Sequence, residues 1–200
     1  MSTKSSMTAK AEEKAKQLFQ RLNELKREGT IERIVFAESC TAGLVSALVG
    51  QVPGISEFFC GSVVTCRASA MQQWLNMPSE TLESNSAESA KISSAMAVGV
   101  LAKTNEATCS AAITGHLSVL RDIGTIPRGQ SEVGGVIFVT VAAKNESGQA
   151  VTIAVGTHRL QSRSRIERQY EAAANVIEMI TDLLKGEFYS SNDDACGNDN

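Results

Sequence analysis

The stretch Ala37-Glu38-Ser39-Cys40-Thr41-Ala42-Gly43 places a carboxylate, two hydroxyls and a thiol in four consecutive positions, between a β-branched run and an apolar one. In layered α/β domains a junction of this kind, where a strand hands over to a helix, is where ligands commonly bind. Ser39 is the candidate nucleophile. A serine hydroxyl attacks poorly at neutral pH and needs a positioned base. Backbone N–H groups at the helix start could hold an oxyanion or a phosphate beside it. The plainer alternative is that Ser39 or Thr41 caps the helix, contributing about 1 kcal/mol. Glu38 would orient the turn by accepting backbone hydrogen bonds.

A second candidate turn is Ile113-Thr114-Gly115-His116. Neutral imidazole is a capable base, so His116 is a candidate to activate Ser39 or a water molecule, against the plainer reading of a solvated loop histidine. Cys66 is a further candidate nucleophile, against the reading of a small buried apolar residue. His158 lies outside both turns and reads as surface. The five cysteines are widely spaced, no CxxC pair occurs, and neither histidine neighbours a cysteine in sequence. No metal and no cofactor are expected, and reduced thiols are the simplest state.

These residues need elements to position them. Ala11, Ala15, Leu18, Leu22 and Leu25 recur at three- and four-residue steps, predicting a helix from Thr8 to Arg27 that stops before Gly29. Strands are expected over Ile31 to Ala37, Phe58 to Thr65, Ala107 to Thr114, Val133 to Ala143 and Gln149 to Gly156. Helices are expected over Leu44 to Val49, Ala68 to Leu75 and a segment capped by Ser86 that runs to Lys103. Trp74 and Met77 would pack the short Ala68 helix against the sheet. The polar Lys144-Asn145-Glu146-Ser147-Gly148 connection predicts an antiparallel hairpin. The last helix, Ser162 to Leu184, carries the stripe Ile166, Tyr170, Ala173, Ile177, Ile180 and Leu184. The order implies a layered α/β/α sandwich with a mixed, mostly parallel sheet and a C-terminal hairpin. Residues 1–7 and the polar tail 187–200 are expected to be disordered around a single domain, 8–186.

Composition agrees with one folded domain: 200 residues, 42% hydrophobic and 20% charged, with few aromatics at 4%. A net charge of −3 makes no field to attract nucleic acid or an anionic membrane. No apolar run approaches a membrane span, and the N-terminus has no apolar stretch of the secretory kind, so a cytoplasmic location is expected.

The segment AESCTAGLVSAL followed by VPGISEFFCGSVVT resembles the opening half of the CinA C-terminal domain family. ITGH, GGVIFVTVA and the Arg-rich start of the last helix follow in the family's order, and the likeness covers roughly residues 10 to 186. The resemblance implies an amidohydrolase that converts nicotinamide mononucleotide to nicotinic acid mononucleotide and ammonia, without a metal. It implies Ser39 as nucleophile. Thr41, Gly43 and Glu38 would stand at the substrate turn, and Thr114 and Gly115 would line the pocket. Arg67, with Arg163 or Arg165, would supply positive charge for the nucleotide. The implied partner is a small-molecule nucleotide, and a homo-oligomer is expected.

Two stretches depart from that pattern. Where the family carries Tyr, Asn and Lys after the second strand, this chain has Cys66, Ala68 and Met71. After ITG, the family's Gly- and Pro-rich loop is replaced by His116-Leu117-Ser118-Val119-Leu120-Arg121-Asp122. A lysine of lowered pKa can act as the base, whereas Met71 has no proton to exchange. Three functions therefore stand at this level: a hydrolase, a non-catalytic nucleotide-binding relative, and a structural domain acting through self-association.

Overall fold

The computed structural model describes residues 6–118 and 135–186. The chain opens with α1 (Ser6–Arg27), whose residues Ala11, Ala15, Leu18 and Leu22 are all fully buried. The stripe therefore does what its spacing predicts, and Gly29, at φ 92°, turns the chain after it. The helix takes in residues 6 and 7, which the sequence reading left outside the domain. The expectations for residues 1–5 and 187–200 lie outside the described residues.

Five strands follow: β1 (Ile34–Glu38), β2 (Phe59–Val64), β3 (Cys109–His116), β4 (Val136–Lys144) and β5 (Ala150–Arg159). They form one sheet in the order β2-β1-β3-β4-β5. β1 pairs parallel with β2 and with β3, whereas β3 with β4 and β4 with β5 are antiparallel. The β4–β5 hairpin closes at Asn145, whose side-chain oxygen accepts the Ser147 and Gln149 N–H groups at 3.1 and 2.9 Å. β1 begins three residues later than the hydrophobic run suggests. Ile31 is exposed there because no strand pairs with it.

Helices α2 (Leu44–Gly50) and α6 (Arg165–Lys185) cover one face of the sheet, with α1 packed on both. The other face carries α3 (Ala68–Leu75), α4 (Ser79–Glu83) and α5 (Ala90–Lys103). The core is accordingly split in two: Phe36, Ile113, Val139 and Ile177 on the α6 side, and Val35, Ala37, Met71, Ile92 and Met96 on the α5 side. Alternation along β1 divides neighbouring residues between them.

Several details differ from the sequence reading. Ser89, not Ser86, caps α5 by accepting the Ile92 N–H at 3.3 Å. The short α4 was not expected. Met77 is buried as expected, but Trp74 is half exposed, and Met71 and Leu75 do the packing in its place. Ile166 is 58% exposed. It falls in the first turn of α6. His158 lies half-buried on β5, the edge strand, rather than on open surface. Its Nε2 has no hydrogen-bond partner among the described residues and lies so close to Gly156 that a Cβ there would have to displace the ring.

Candidate functional site

Glu38 is the last residue of β1 and is 0% exposed. Its Oε2 accepts from Thr41 Oγ1 at 2.8 Å and Val45 N at 3.0 Å. Its Oε1 accepts from Ser46 N at 2.9 Å and Ser62 Oγ at 3.0 Å, and lies 2.8 Å from the Ser46 hydroxyl, which is also shared with the Gly43 carbonyl. α2 has no side-chain cap of its own, because its N-cap is Gly43. The carboxylate of the preceding strand supplies one instead, satisfying two of the orphan N–H groups of the first turn. This corrects the expectation that the start of α2 offers its N–H groups to a phosphate: Glu38 already occupies them. Glu38 and Thr41 are spent on the turn and have no free polar atom for a substrate. Gly43, at φ 92°, permits the turn itself.

The α6 helix holds this turn from the side. Gln169 Nε2 donates to the Thr41 carbonyl at 2.7 Å. Arg165, in the first turn of α6, donates to Ser118 Oγ and lies within electrostatic reach of the Cys40 thiol. The first turn of α6 is set by a capping box between Ser164 and Glu167. Arg168 is buried and ties three carbonyls together: Ser162 at 2.9 Å, Leu117 at 2.8 Å and Arg163 at 2.6 Å. Of the two arginines expected at a phosphate, Arg165 is brought to the Ser39 turn. Arg163 is exposed and contributes its carbonyl to the Arg168 clamp. The clamp residues Gln169 and Arg168 were missed by sequence reasoning; a buried arginine leaves no signature in an Arg-rich helix start.

Ser39 follows Glu38 and is half-buried. Its N–H donates to the Ile113 carbonyl at 3.1 Å, and the Thr65 N–H donates to the Glu38 carbonyl at 2.8 Å. The ladder thus runs one step past the paired strands. Ser39 stands between Thr65 on one side and Thr114 on the other, at the carboxyl ends of the three parallel strands. Alternation turns this row toward the α3–α5 face, opposite to Glu38. Among the described residues, the Ser39 hydroxyl has no side-chain or backbone partner.

Three neighbours complete the row. Thr114 is buried and donates to the Ala87 carbonyl at 2.8 Å, so it fixes the approach to α5 and has no hydrogen to offer a ligand. Thr65 is 1% exposed, and its hydroxyl has no partner among the described residues. Cys66 is exposed, its thiol 3.6 Å from the Ser39 carbonyl. Met71 is buried in the apolar cluster with Val35, Ala37 and Ile92 beneath. Arg67 is exposed at the N-cap of α3 and makes no side-chain cap there.

His116 ends β3 but does not meet Ser39. Its Nε2 lies 3.4 Å from the Glu88 carboxylate, and the ring is largely exposed. Gly115 is a structural requirement rather than a pocket wall: at φ 146°, an added Cβ would fall 2.4 Å from the Val136 carbonyl oxygen. The remaining thiols are muted. Burial pushes the Cys40 thiol up to about 12, with the nearby Glu38 charge acting in the same direction, and burial likewise raises Cys109. Among the described residues, no three His, Cys, Asp or Glu side chains gather to hold a metal ion, and no helix is long and apolar enough to cross a membrane.

A serine turn at the carboxyl ends of parallel strands, inside an α/β/α sandwich whose sheet ends in an antiparallel hairpin, defines a small α/β domain with a candidate site at the strand ends. The chain belongs to the CinA C-terminal domain family, whose family model matches residues 12–184. A putative competence-damage inducible protein of Halalkalibacterium halodurans is 31% identical over 129 residues, covering 64% of this chain and 29% of that protein. One from Listeria welshimeri is 28% identical over 187 residues, covering 81% of this chain and 43% of its own length. The chain therefore spans less than half the length of these curated relatives. Among solved structures, a CinA superfamily protein from Escherichia coli aligns with a TM-score of 0.70 at 22% identity, over 91% of this chain and 94% of the other. At that identity the likeness establishes the fold.

Proposed function

We propose that this chain binds a nicotinamide nucleotide at the carboxyl ends of β1 and β2, and hydrolyses its carboxamide slowly through Ser39. In that reaction the serine oxygen adds to the carboxamide carbon, the C–N bond breaks and ammonia leaves. Water then cleaves the ester to give the carboxylic acid nucleotide. The observation that supports this most is the half-buried Ser39 hydroxyl, set at a strand end beside that of Thr65, both without a partner among the described residues, with Arg165 in electrostatic reach of the adjacent Cys40. The protein is taken to act in the cytoplasm as a homo-oligomer.

The turnover is slow because no base reaches Ser39 among the described residues. His116 is turned to Glu88, and Met71 offers a thioether in an apolar floor. Losing general-base assistance lowers the rate about 10²- to 10⁴-fold, which takes a typical turnover of order 10 s⁻¹ to about 0.1–0.001 s⁻¹. The same burial of Met71 favours a second reading, in which the nucleotide is bound and not turned over.

The test is ammonia release from nicotinamide mononucleotide, with Ser39→Ala alongside. Slow release that this substitution abolishes is the expected result. Equal background in both proteins, with the nucleotide raising the melting temperature by mass action, moves the assignment to the binder. Neither release nor stabilisation ends both.

A further inference from the structure

Among the described residues, nothing takes up the Thr65 hydroxyl. Its residue is 1% exposed, yet its Oγ1 has no hydrogen-bond partner among the described residues. A buried hydroxyl left in this state is destabilising, and such groups in native proteins call for a reason. The Thr65 N–H donates to the Glu38 carbonyl at 2.8 Å, so the position is tied to the sheet by its backbone and not by the side chain. Valine has the same shape and would fill this place in a strand without an unsatisfied oxygen.

What distinguishes the position is its neighbour. Thr65 sits one ladder step beside Ser39, on the same face, and the Ser39 hydroxyl is also without a partner among the described residues. Their strands are roughly 4.8 Å apart, a gap that a planar three-atom group, an amide or a carboxylate, can bridge with one heteroatom toward each hydroxyl. A hydroxyl is both donor and acceptor, so Thr65 can take either end of an amide. Thr114, the equivalent residue on the other side of Ser39, has its hydrogen committed to the Ala87 carbonyl and can only accept, whereas Thr65 can do either.

We infer that Thr65 is a binding residue for the planar amide group of the ligand, holding it beside Ser39. This rests on the reading of the Ser39 turn as a nicotinamide-nucleotide site, but concerns the amide alone, so the two can fail separately.

The experiment uses the full chain and nicotinamide itself, which carries the amide without ribose or phosphate, with binding followed by ligand-observed NMR. Thr65→Val keeps the shape and removes the hydroxyl; Thr65→Ser keeps the hydroxyl and removes the methyl. The expected result is nicotinamide affinity about tenfold weaker in Thr65→Val than in Thr65→Ser, the loss of one net hydrogen bond. The melting temperature of ligand-free Thr65→Val should equal or exceed that of the parent. Equal affinity in the two variants, or no nicotinamide binding by the parent, overturns the assignment of Thr65. Thr65-dependent nicotinamide binding without ammonia release from the mononucleotide would keep Thr65 and remove the hydrolase. Ammonia release that Thr65→Val leaves unchanged would keep the hydrolase and remove Thr65.

Discussion

The two faces of the sheet's carboxyl edge treat their polar groups in opposite ways. On the α2–α6 face, Glu38 is enclosed and takes hydrogen bonds from Thr41, Val45, Ser46 and Ser62, and α6 adds Gln169 to the same turn. On the α3–α5 face, Ser39 and Thr65 carry hydroxyls that have no partner among the described residues. Glu38 and Ser39 are consecutive residues, so strand alternation alone sends one into the scaffold and the other to the opposite face. The lesson is that the acidic residue in this motif builds the turn, while the hydroxyl beside it stays outside that network among the described residues.

The largest effect should come from breaking the closed face. Glu38→Ala leaves two backbone N–H groups and several hydroxyls buried without an acceptor, and should destabilise the domain by roughly 3–5 kcal/mol. In a domain of this size that lowers the melting temperature by on the order of 10 °C. A loss below about 1 kcal/mol in urea unfolding would mean that the turn is held by other contacts.

Charging the open face is the next test. Met71→Lys buries an amine among apolar residues and should cost about 2–3 kcal/mol at neutral pH. The sign with pH follows from desolvation, which lowers the folded-state pKa of the amine below its unfolded value. The unfolded chain therefore holds the proton longer, and the penalty shrinks as pH rises toward 10. Combined with Cys66→Tyr, the same change should raise ammonia release from nicotinamide mononucleotide; no gain would show that more than a base is missing.

The smallest effect separates the thiols of the two faces. Cys40 packs against the α6-side core and burial holds its thiol near 12, against 9.0 when unfolded. The unfolded state loses that proton first, so stability falls as pH rises from 9 toward 12, by about 1.4 kcal/mol per pH unit. Urea midpoints for the parent and Cys40→Ala between pH 9 and 10.5 should show the shallower slope in the variant. At pH 8, iodoacetamide should reach the exposed Cys66 well before Cys40.

Much of this was legible in the residues. The stripe from Ala11 to Leu22 could only be a buried helix face, and the polar pentapeptide around Asn145 could only be a tight connection between strands. The capacity of Glu38 to accept backbone hydrogen bonds was also visible, since a carboxylate just before a helix finds N–H groups there. Thr65 was not visible, because a threonine at the end of a strand is ordinary, and only the neighbours it lacks make it a candidate. His116 misled for a related reason. Its side chain ends β3 beside Glu88, a residue 28 positions earlier that nothing in the chain's local pattern connects to it.

By itself the sequence determined the periodicities, the hairpin, the composition of the core and the chemistry available at the Ser39 turn, since these depend on residues close together along the chain. The tertiary structure decided the antiparallel pairing of β3 with β4, the choice of Arg165 over Arg163 at the turn, the burial of Arg168, and the row of hydroxyls across β2, β1 and β3. Those depend on which strands lie side by side and on which face each residue ends. Pairing between distant segments is selected by the burial of the whole sheet, and no local pattern encodes it.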